Sequence, residues 1–334
     1  LSEHKTTVKT EVMAGITTFM TMAYILAVNP SVLGSTGMDT TAVLLATALA
    51  SCLGTLCMAF MANLPFALSA GMGLNAFMAY TVVAGDGYSG QVALLAVFIE
   101  GLIFIVLSLT NIREAIFNAI PLTLKKGVSV GIGLFIAFIG LQNSGLCVDS
   151  ATLVGIISFP ENFHTAGICA LLTLIGLFFT AVFYTRKMKG AILYGILLTW
   201  ILGMLCQVTG LYVPTPDAGF YSLFPSWGMT DFSKLGLTFG QCFNVDFSAV
   251  GIVNFIVVIF SFLFVDIFDT LGTLIGVATK AKMLDKDGKL PGIKPALLAD
   301  SIATSAGAIL GTSTTTTFVE SASGVTEGGR TGLT

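Results

Sequence analysis

The sequence predicts an all-α, polytopic membrane protein, and three observations predict it. Of its 334 residues, 55 % are hydrophobic and only 10 % carry charge, too little charge to coat a water-soluble domain of that size. Mean hydropathy is +0.92, so lipid has to account for the apolar surface. The apolar residues also collect into runs of roughly the 20 residues that a helix needs to cross ~30 Å of hydrocarbon. With 15 Lys+Arg against 18 Asp+Glu the net charge is −3, which argues against a nucleic-acid partner and against a polybasic surface anchor.

In chain order, Lys5 and Lys9 alternate with Glu3 and Glu11 ahead of the first apolar run. No small-residue cleavage site follows a short hydrophobic region, so that run is expected to stay in the membrane. Full-length spans are expected at 12–34, 42–62, 91–109, 127–146, 166–184, 190–210 and 250–278, with a shorter one at 297–311. Residues 67–83 and 318–334 are apolar but rich in Gly, Ala and Ser. Each follows residues that resist helix, Asn63 and Pro65 in one case and Thr312 to Thr317 in the other, so both are expected to be broken half-helices. The six cysteines lie mostly inside apolar runs without metal-ligand spacing and are read as packing residues. His4 and His164 fall outside the spans and are expected to be solvated.

Positive charge supplies an orientation. Lys5 and Lys9, then Arg113, Lys125 and Lys126, then Arg186, Lys187 and Lys189, then Lys280, Lys282, Lys286, Lys289 and Lys294 form basic groups, whereas 35–41, 84–90 and 147–165 carry none and 211–249 carries only Lys234. Short cytoplasmic loops collect such residues. The alternation closes only when 67–83 counts as a crossing, and it places the N-terminus in the cytoplasm of a cell-membrane protein.

The stretches ANLPFALSAGMGLNAF (62–77) and GTSTTTTFVESASGV (311–325) share a plan: an extended approach, then small residues opening a short helix. By the crossing count they run in opposite directions, as in inverted repeats whose discontinuous helices meet at the midplane. The expected organisation is a first seven-span repeat over 1–210, an extracellular or periplasmic connection over 211–249, and three spans of a second repeat over 250–334. A second repeat mirroring the first would make fourteen spans, so the sequence reads as truncated after about the tenth.

Acids inside spans are expensive and mark function by default. LFVDIFDTLGTLIG (263–276) carries Asp266 and Asp269 three apart, on one helix face, with Thr270 and Thr273 continuing the stripe at i+4. The alternative is a structural pair bonded to neighbouring amides or hydroxyls. Glu320 follows the threonine run at the expected first turn of a half-helix, where free N–H groups favour an anion or a simple cap. Asn75 opens the other half-helix after Gly71 and Gly73; its amide both donates and accepts, and the glycines permit close approach or tight packing. Phe77 and Phe318 could stack on a flat ligand or belong to the core. Glu100 is read as scaffold, and Arg330, about three turns past Glu320, as an anchor at the cytoplasmic surface. No metal site and no cofactor other than a coupling proton is expected.

At these residues the sequence resembles the nucleobase/ascorbate transporter superfamily, in its AzgA-like guanine/hypoxanthine/adenine permease branch. The likeness is carried by TEVMAGITTFMTMAYILAVNP (10–30), NLPFALSAGMGLNAF (63–77), FVDIFDTLGTLIGVA (264–278) and GTSTTTTFVESASGVTEGGRTGLT (311–334), and it extends over the whole chain. The resemblance implies two inverted repeats of seven spans divided into core and gate domains, with substrate held between the broken helices, and proton-coupled purine uptake. It places Asn75 in the third span, Asp266 with Asp269 in the eighth and Glu320 in the tenth. A purine edge offers N–H donors to a carboxylate and acceptors to an amide, without a buried counter-charge. A midplane carboxyl, whose charged form burial disfavours, can load a proton outside and release it inside. Asp266 and Glu320 are expected to divide these roles.

Other readings are a carrier of the same architecture for xanthine, uracil or an anion, an ion channel, and an intramembrane aspartyl enzyme. Three acids near the half-helices disfavour an anion, and acid rings in channels usually need symmetric subunits. Two acids on one helix without a following GxGD disfavour the enzyme. The expected partners are a purine and lipid; monomer and homodimer both stay open.

Overall fold

The computed structural model describes residues 6–110, 112, 121–150, 153–186, 188, 190–216, 219–225, 228–246, 250–285 and 290–334, with backbone alone at 122, 125, 126, 128, 129, 132 and 136. Glu3, His4, Lys5, Arg113, Lys187, Lys189, Lys286 and Lys289 therefore lie outside the described residues, as do the side chains of Lys125 and Lys126. Two compact units divide the chain, one of Leu1–Ile132 with Thr230–Thr334, the other of Gly133–Met229. The boundary at 229–230 falls inside the 211–249 connection.

The first unit begins with α1 (Val8–Met22) and α2 (Ile25–Gly34), a single expected span that is interrupted. Pro30 inside α2 removes an amide and crowds the carbonyl four residues back. The chain adjusts just upstream, where Leu26 and Ala27 bond back to the carbonyls of Ala23 and Tyr24 with a three-residue spacing. Helix α3 (Thr40–Cys57) is capped by Asp39, whose carboxylate accepts from the Ala42 amide. It runs through a π-helical turn to Asn63, a left-handed residue at φ 51°.

A three-residue strand, β1 (Leu68–Ala70), then precedes α4 (Met72–Ala76), which continues as a π-helical segment to Gly85. Helix α5 (Gly90–Leu109) and α6 (Leu122–Asn143) follow. In the second unit, a hairpin of β2 (Cys147–Ser150) and β3 (Leu153–Ile156) leads to α7 (Ile168–Thr185) and α8 (Ala191–Val208). The chain returns to the first unit with α9 (Ile252–Ala281), α10 (Ile293–Leu310), β4 (Thr315–Thr317) and α11 (Ser321–Thr326).

Seven helical stretches among the described residues are long and apolar enough to cross a membrane: Val8–Gly34, Thr40–Ala62, Gly90–Leu109, Phe159–Thr185, Ala191–Val208, Ile252–Ala281 and Ile293–Leu310. The span expected at 127–146 overlaps α6, which ends at Asn143, and its apolar part, Gly133–Asn143, is shorter. The expected half-span 318–334 is helical only over α11, after which the chain turns. The all-α expectation also needs correcting, because the mostly helical fold contains two small sheets.

One of these sheets organises the first unit. Strands β1 and β4, far apart in sequence, pair antiparallel with Leu68 opposite Thr317, Ser69 opposite Thr316 and Ala70 opposite Thr315. The pairing continues outward, with the Gly71 amide donating to Thr314 O at 3.0 Å and the Phe318 amide to Ala67 O at 2.9 Å. Extended backbone in hydrocarbon is tolerable only when its polar groups are satisfied by protein, and these bonds satisfy them. Apolar packing surrounds the ladder: Leu68, Phe104, Leu271, Leu274, Leu297 and Ala303 belong to one buried cluster, and Leu74, Met78, Val97, Phe262 and Ala308 to another.

Candidate functional site

The two half-helices start from the two ends of one ladder. Gly71, at the exit of β1, precedes α4, and Glu320, just after β4, precedes α11. A Cβ on Gly71 would stand 2.7 Å from the Thr316 methyl and 3.4 Å from Asp269 Oδ2. Glycine thus lets the start of α4 lie against both β4 and α9.

The two acids of α9 occupy different surroundings. Asp266 is fully buried, and Thr270 Oγ1 donates to its Oδ1 at 2.9 Å. The same hydroxyl lies 3.1 Å from Asp300 Oδ2 on α10 and 2.9 Å from Thr316 Oγ1 on β4. A hydroxyl holds one hydrogen and two lone pairs, so Thr270 shares its proton between the carboxylates while Thr316 donates to it. Asp269, one turn on, is partly exposed beside Gly71. The polar stripe expected along α9 thus divides between a buried network and an open edge, with Thr273 also partly exposed.

Glu320 has helical backbone angles, φ −61° and ψ −20°, and its side chain makes no capping bond to α11. It accepts from Tyr24 Oη at 2.5 Å instead. Asp269 meets the charge of Asp300 first and that of Glu320 second. Asp266 and Glu320, expected to share one pocket, have separate immediate partners.

Asn75 is buried in the first turn of α4, and the Ser313 hydroxyl donates to its Oδ1. Its Nδ2 is a buried donor without a hydrogen-bond partner. Gly73 and Phe77 are partly exposed, and Phe77 packs edge-on against Phe262 with centroids 4.9 Å apart. Phe318 is buried with Met22, Ile25 and Ala67, and Tyr24 and Met72 pack against that cluster. A cavity of about 380 Å³ bounded by α1, α3 and the approach to β1 holds none of the expected site residues.

Other polar side chains brace the strand. Asn29 Nδ2 donates to Thr47 and Thr312 at 2.7 and 2.8 Å, and Thr314 Oγ1 donates to Glu100 Oε2 at 3.0 Å. Glu100 on α5 thus holds the residue that leads into β4. Asp300 and Tyr24 were not among the expected site residues. Asp300 carries the signal used for the others, an acid inside an apolar run. Tyr24 carries none, since an aromatic in such a run reads as lipid-facing.

A pattern described as a permease family matches residues 9–333. The chain belongs to this permease family. Its relatives include the guanine/hypoxanthine permease PbuO of Bacillus subtilis, 44 % identical over 100 % of this chain and 73 % of that protein. The adenine permease AdeP of Escherichia coli is 41 % identical over 100 % of this chain and 70 % of its own length. The permeases named here agree with the resemblance to the nucleobase/ascorbate transporters carried by the four motifs. In fold, the chain is similar to the transmembrane domain of a cyanobacterium bicarbonate transporter, BicA, with TM-score 0.59 and 15 % identity, over 97 % of this chain and 78 % of that one. This is a multi-pass membrane permease, not an enzyme, and the intramembrane aspartyl alternative is set aside.

Proposed function

We propose that this permease imports purine nucleobases, guanine and hypoxanthine first and adenine second, by proton symport across the cell membrane. The observation that carries the reading is the β1–β4 ladder. It ties the starts of two short helices to its opposite ends, Gly71 with Asp269 beside it at one and Glu320 at the other, and in this reading the base sits at the corner between these two acids. Relatives named for guanine/hypoxanthine and adenine support a purine as the cargo.

In this reading Glu320 and Asp269 accept from ring and exocyclic N–H groups of a flat uncharged base. Asn75, through its unpartnered Nδ2, and the backbone at Gly73 meet the acceptor edge. Phe77 offers an aromatic face beside the base, and Phe318 supports the corner from within its cluster. Asp266 belongs to the coupling machinery through Thr270, Asp300 and Thr316. The proton is carried among Asp266, Asp269 and Glu320 with no other cofactor. The wider arrangement is a pair of inverted seven-span repeats forming core and gate domains, with a cytoplasmic N-terminus and an external 211–249 connection. The chain covers 70–73 % of the lengths of these relatives. A homodimer is compatible with this arrangement.

The test is uptake of labelled hypoxanthine by cells producing the permease, in competition with unlabelled adenine, guanine, xanthine and uracil, with and without an uncoupler. Competition by guanine and loss of uptake with uncoupler are expected. Competition by uracil alone would transfer the reading to a pyrimidine carrier, and indifference to uncoupler would remove the proton. Glu320→Gln and Asp269→Asn should each lower uptake at least tenfold at equal membrane abundance, the scale of losing a hydrogen bond to a charged group.

A further inference from the structure

Tyr24 stands where the first span is interrupted, and its hydroxyl reaches across 296 positions of sequence to Glu320 Oε1, 2.5 Å away. Its ring packs against the cluster of Met22, Ile25, Ala67 and Phe318. These residues come from the break between α1 and α2 and from the approaches to both half-helices. Glu320 makes no capping bond to its own helix; its carboxylate is held by the Tyr24 hydroxyl first and by its own backbone amide second. The adjoining backbone is closely fitted, since a Cβ on Gly324 in α11 would strike the Ala14 carbonyl and the Thr18 hydroxyl of α1. Tyr24 and Glu320 each keep part of their surface open.

We propose that Tyr24 is a positioning and specificity residue of the purine site, fixing the Glu320 carboxylate so that the corner accepts, and does not donate, hydrogen bonds. The inference rests on the reading that Glu320 meets the purine. A phenol has one hydrogen, and here it is committed to Oε1. Toward a ligand, Tyr24 Oη therefore offers only lone pairs, next to the second carboxylate oxygen. Such a pair of acceptors matches a base edge with two neighbouring donors, as guanine presents at N1–H and its 2-amino group. It serves adenine less well, because the donor amino group there neighbours the acceptor N1. A site built to accept rejects an analogue that places an acceptor opposite it.

Displacement of labelled hypoxanthine from the purified permease by guanine and by adenine tests this, in the wild type, Tyr24→Phe, Glu320→Asp and the double variant. Phenylalanine keeps the ring and its packing and removes only the hydroxyl. Tyr24→Phe should weaken guanine about tenfold and adenine less than about threefold. In the Glu320→Asp background, where the shorter acid withdraws from Oη, the same change should cost less than about twofold, since interacting residues are non-additive. Equal weakening of both purines, or full weakening in the Glu320→Asp background, would make Tyr24 a packing residue of the helix break and overturn the proposal. Failure of the wild type to bind any purine would overturn the purine reading itself and Tyr24's role with it. A purine-binding wild type with a silent Tyr24→Phe would overturn only the tyrosine's role.

Discussion

Asp39 caps α3 and also holds Lys234, with Nζ 3.1 Å from Oδ2. The Ala42 amide first, and then the Lys234 ammonium, hold its carboxyl below the usual range. A carboxylate whose pKa is lowered on folding contributes stability above its unfolded pKa and loses it as pH falls through the lowered one. The melting temperature of Asp39→Ala should therefore lie below wild type at neutral pH, and the gap should close as the pH drops under about 4. Asp39→Asn should melt between the two, since an amide still caps but no longer pairs with lysine. Within the membrane, Ser313→Ala leaves Asn75 Oδ1 without its donor. An abandoned buried acceptor costs about 1–3 kcal/mol. Both the melting temperature of the purified permease and its hypoxanthine affinity should fall.

Helices α7 and α8 join through a reciprocal contact written in sequence as GLFFT (176–180) and GILLT (195–199). A Cβ on Gly176 would collide with the Thr199 hydroxyl and one on Gly195 with the Thr180 hydroxyl. Each threonine is tied to its own glycine's carbonyl at 2.7 Å. Small residues let helix backbones approach where lipid supplies no hydrophobic drive to association. Gly195→Val should cost at least the 1–3 kcal/mol typical of overpacking, about, whereas Gly140→Ala in α6, whose new methyl meets nothing within 4 Å, should be neutral or gain up to ~1 kcal/mol. Thermal melts in detergent separate the two. Elements of this kind were legible to the extent that their signal is local. Apolar runs marked most helices, and Pro65 and the threonine run marked the extended approaches. The pairing of Ser69 with Thr316 was not legible, because strands of three residues have no period and their partners are remote. The break at Ala23–Tyr24 was not legible, because it falls upstream of the carbonyl that Pro30 crowds, inside a continuous apolar run. Asp266 and Asp269 were found by hydropathy alone, but their separation into a buried and an open acid depends on which neighbours each meets.

At the scale of the whole molecule, the distribution of cations is the argument for the proposed orientation. Lys280 and Lys282 close α9, Lys294 opens α10 and Arg330 follows α11, whereas Lys234 lies in the connection that precedes α9. Helix α9 spans 30 residues between these groups, about 45 Å at 1.5 Å per residue, enough to reach from one interface to the other. The two groups therefore belong to opposite faces. In the proposed orientation, with positive residues retained on the cytoplasmic side, Lys282 and Arg330 face inward and Lys234 outward. In a variant with its native cysteines replaced, Lys234→Cys should react with a membrane-impermeant maleimide added to intact cells, and Lys282→Cys only after permeabilisation. The reverse pattern would invert the molecule. It would turn the substrate corner's inward and outward paths around, while uptake by symport would still require an inward proton gradient, because base and proton cross in the same direction in either orientation.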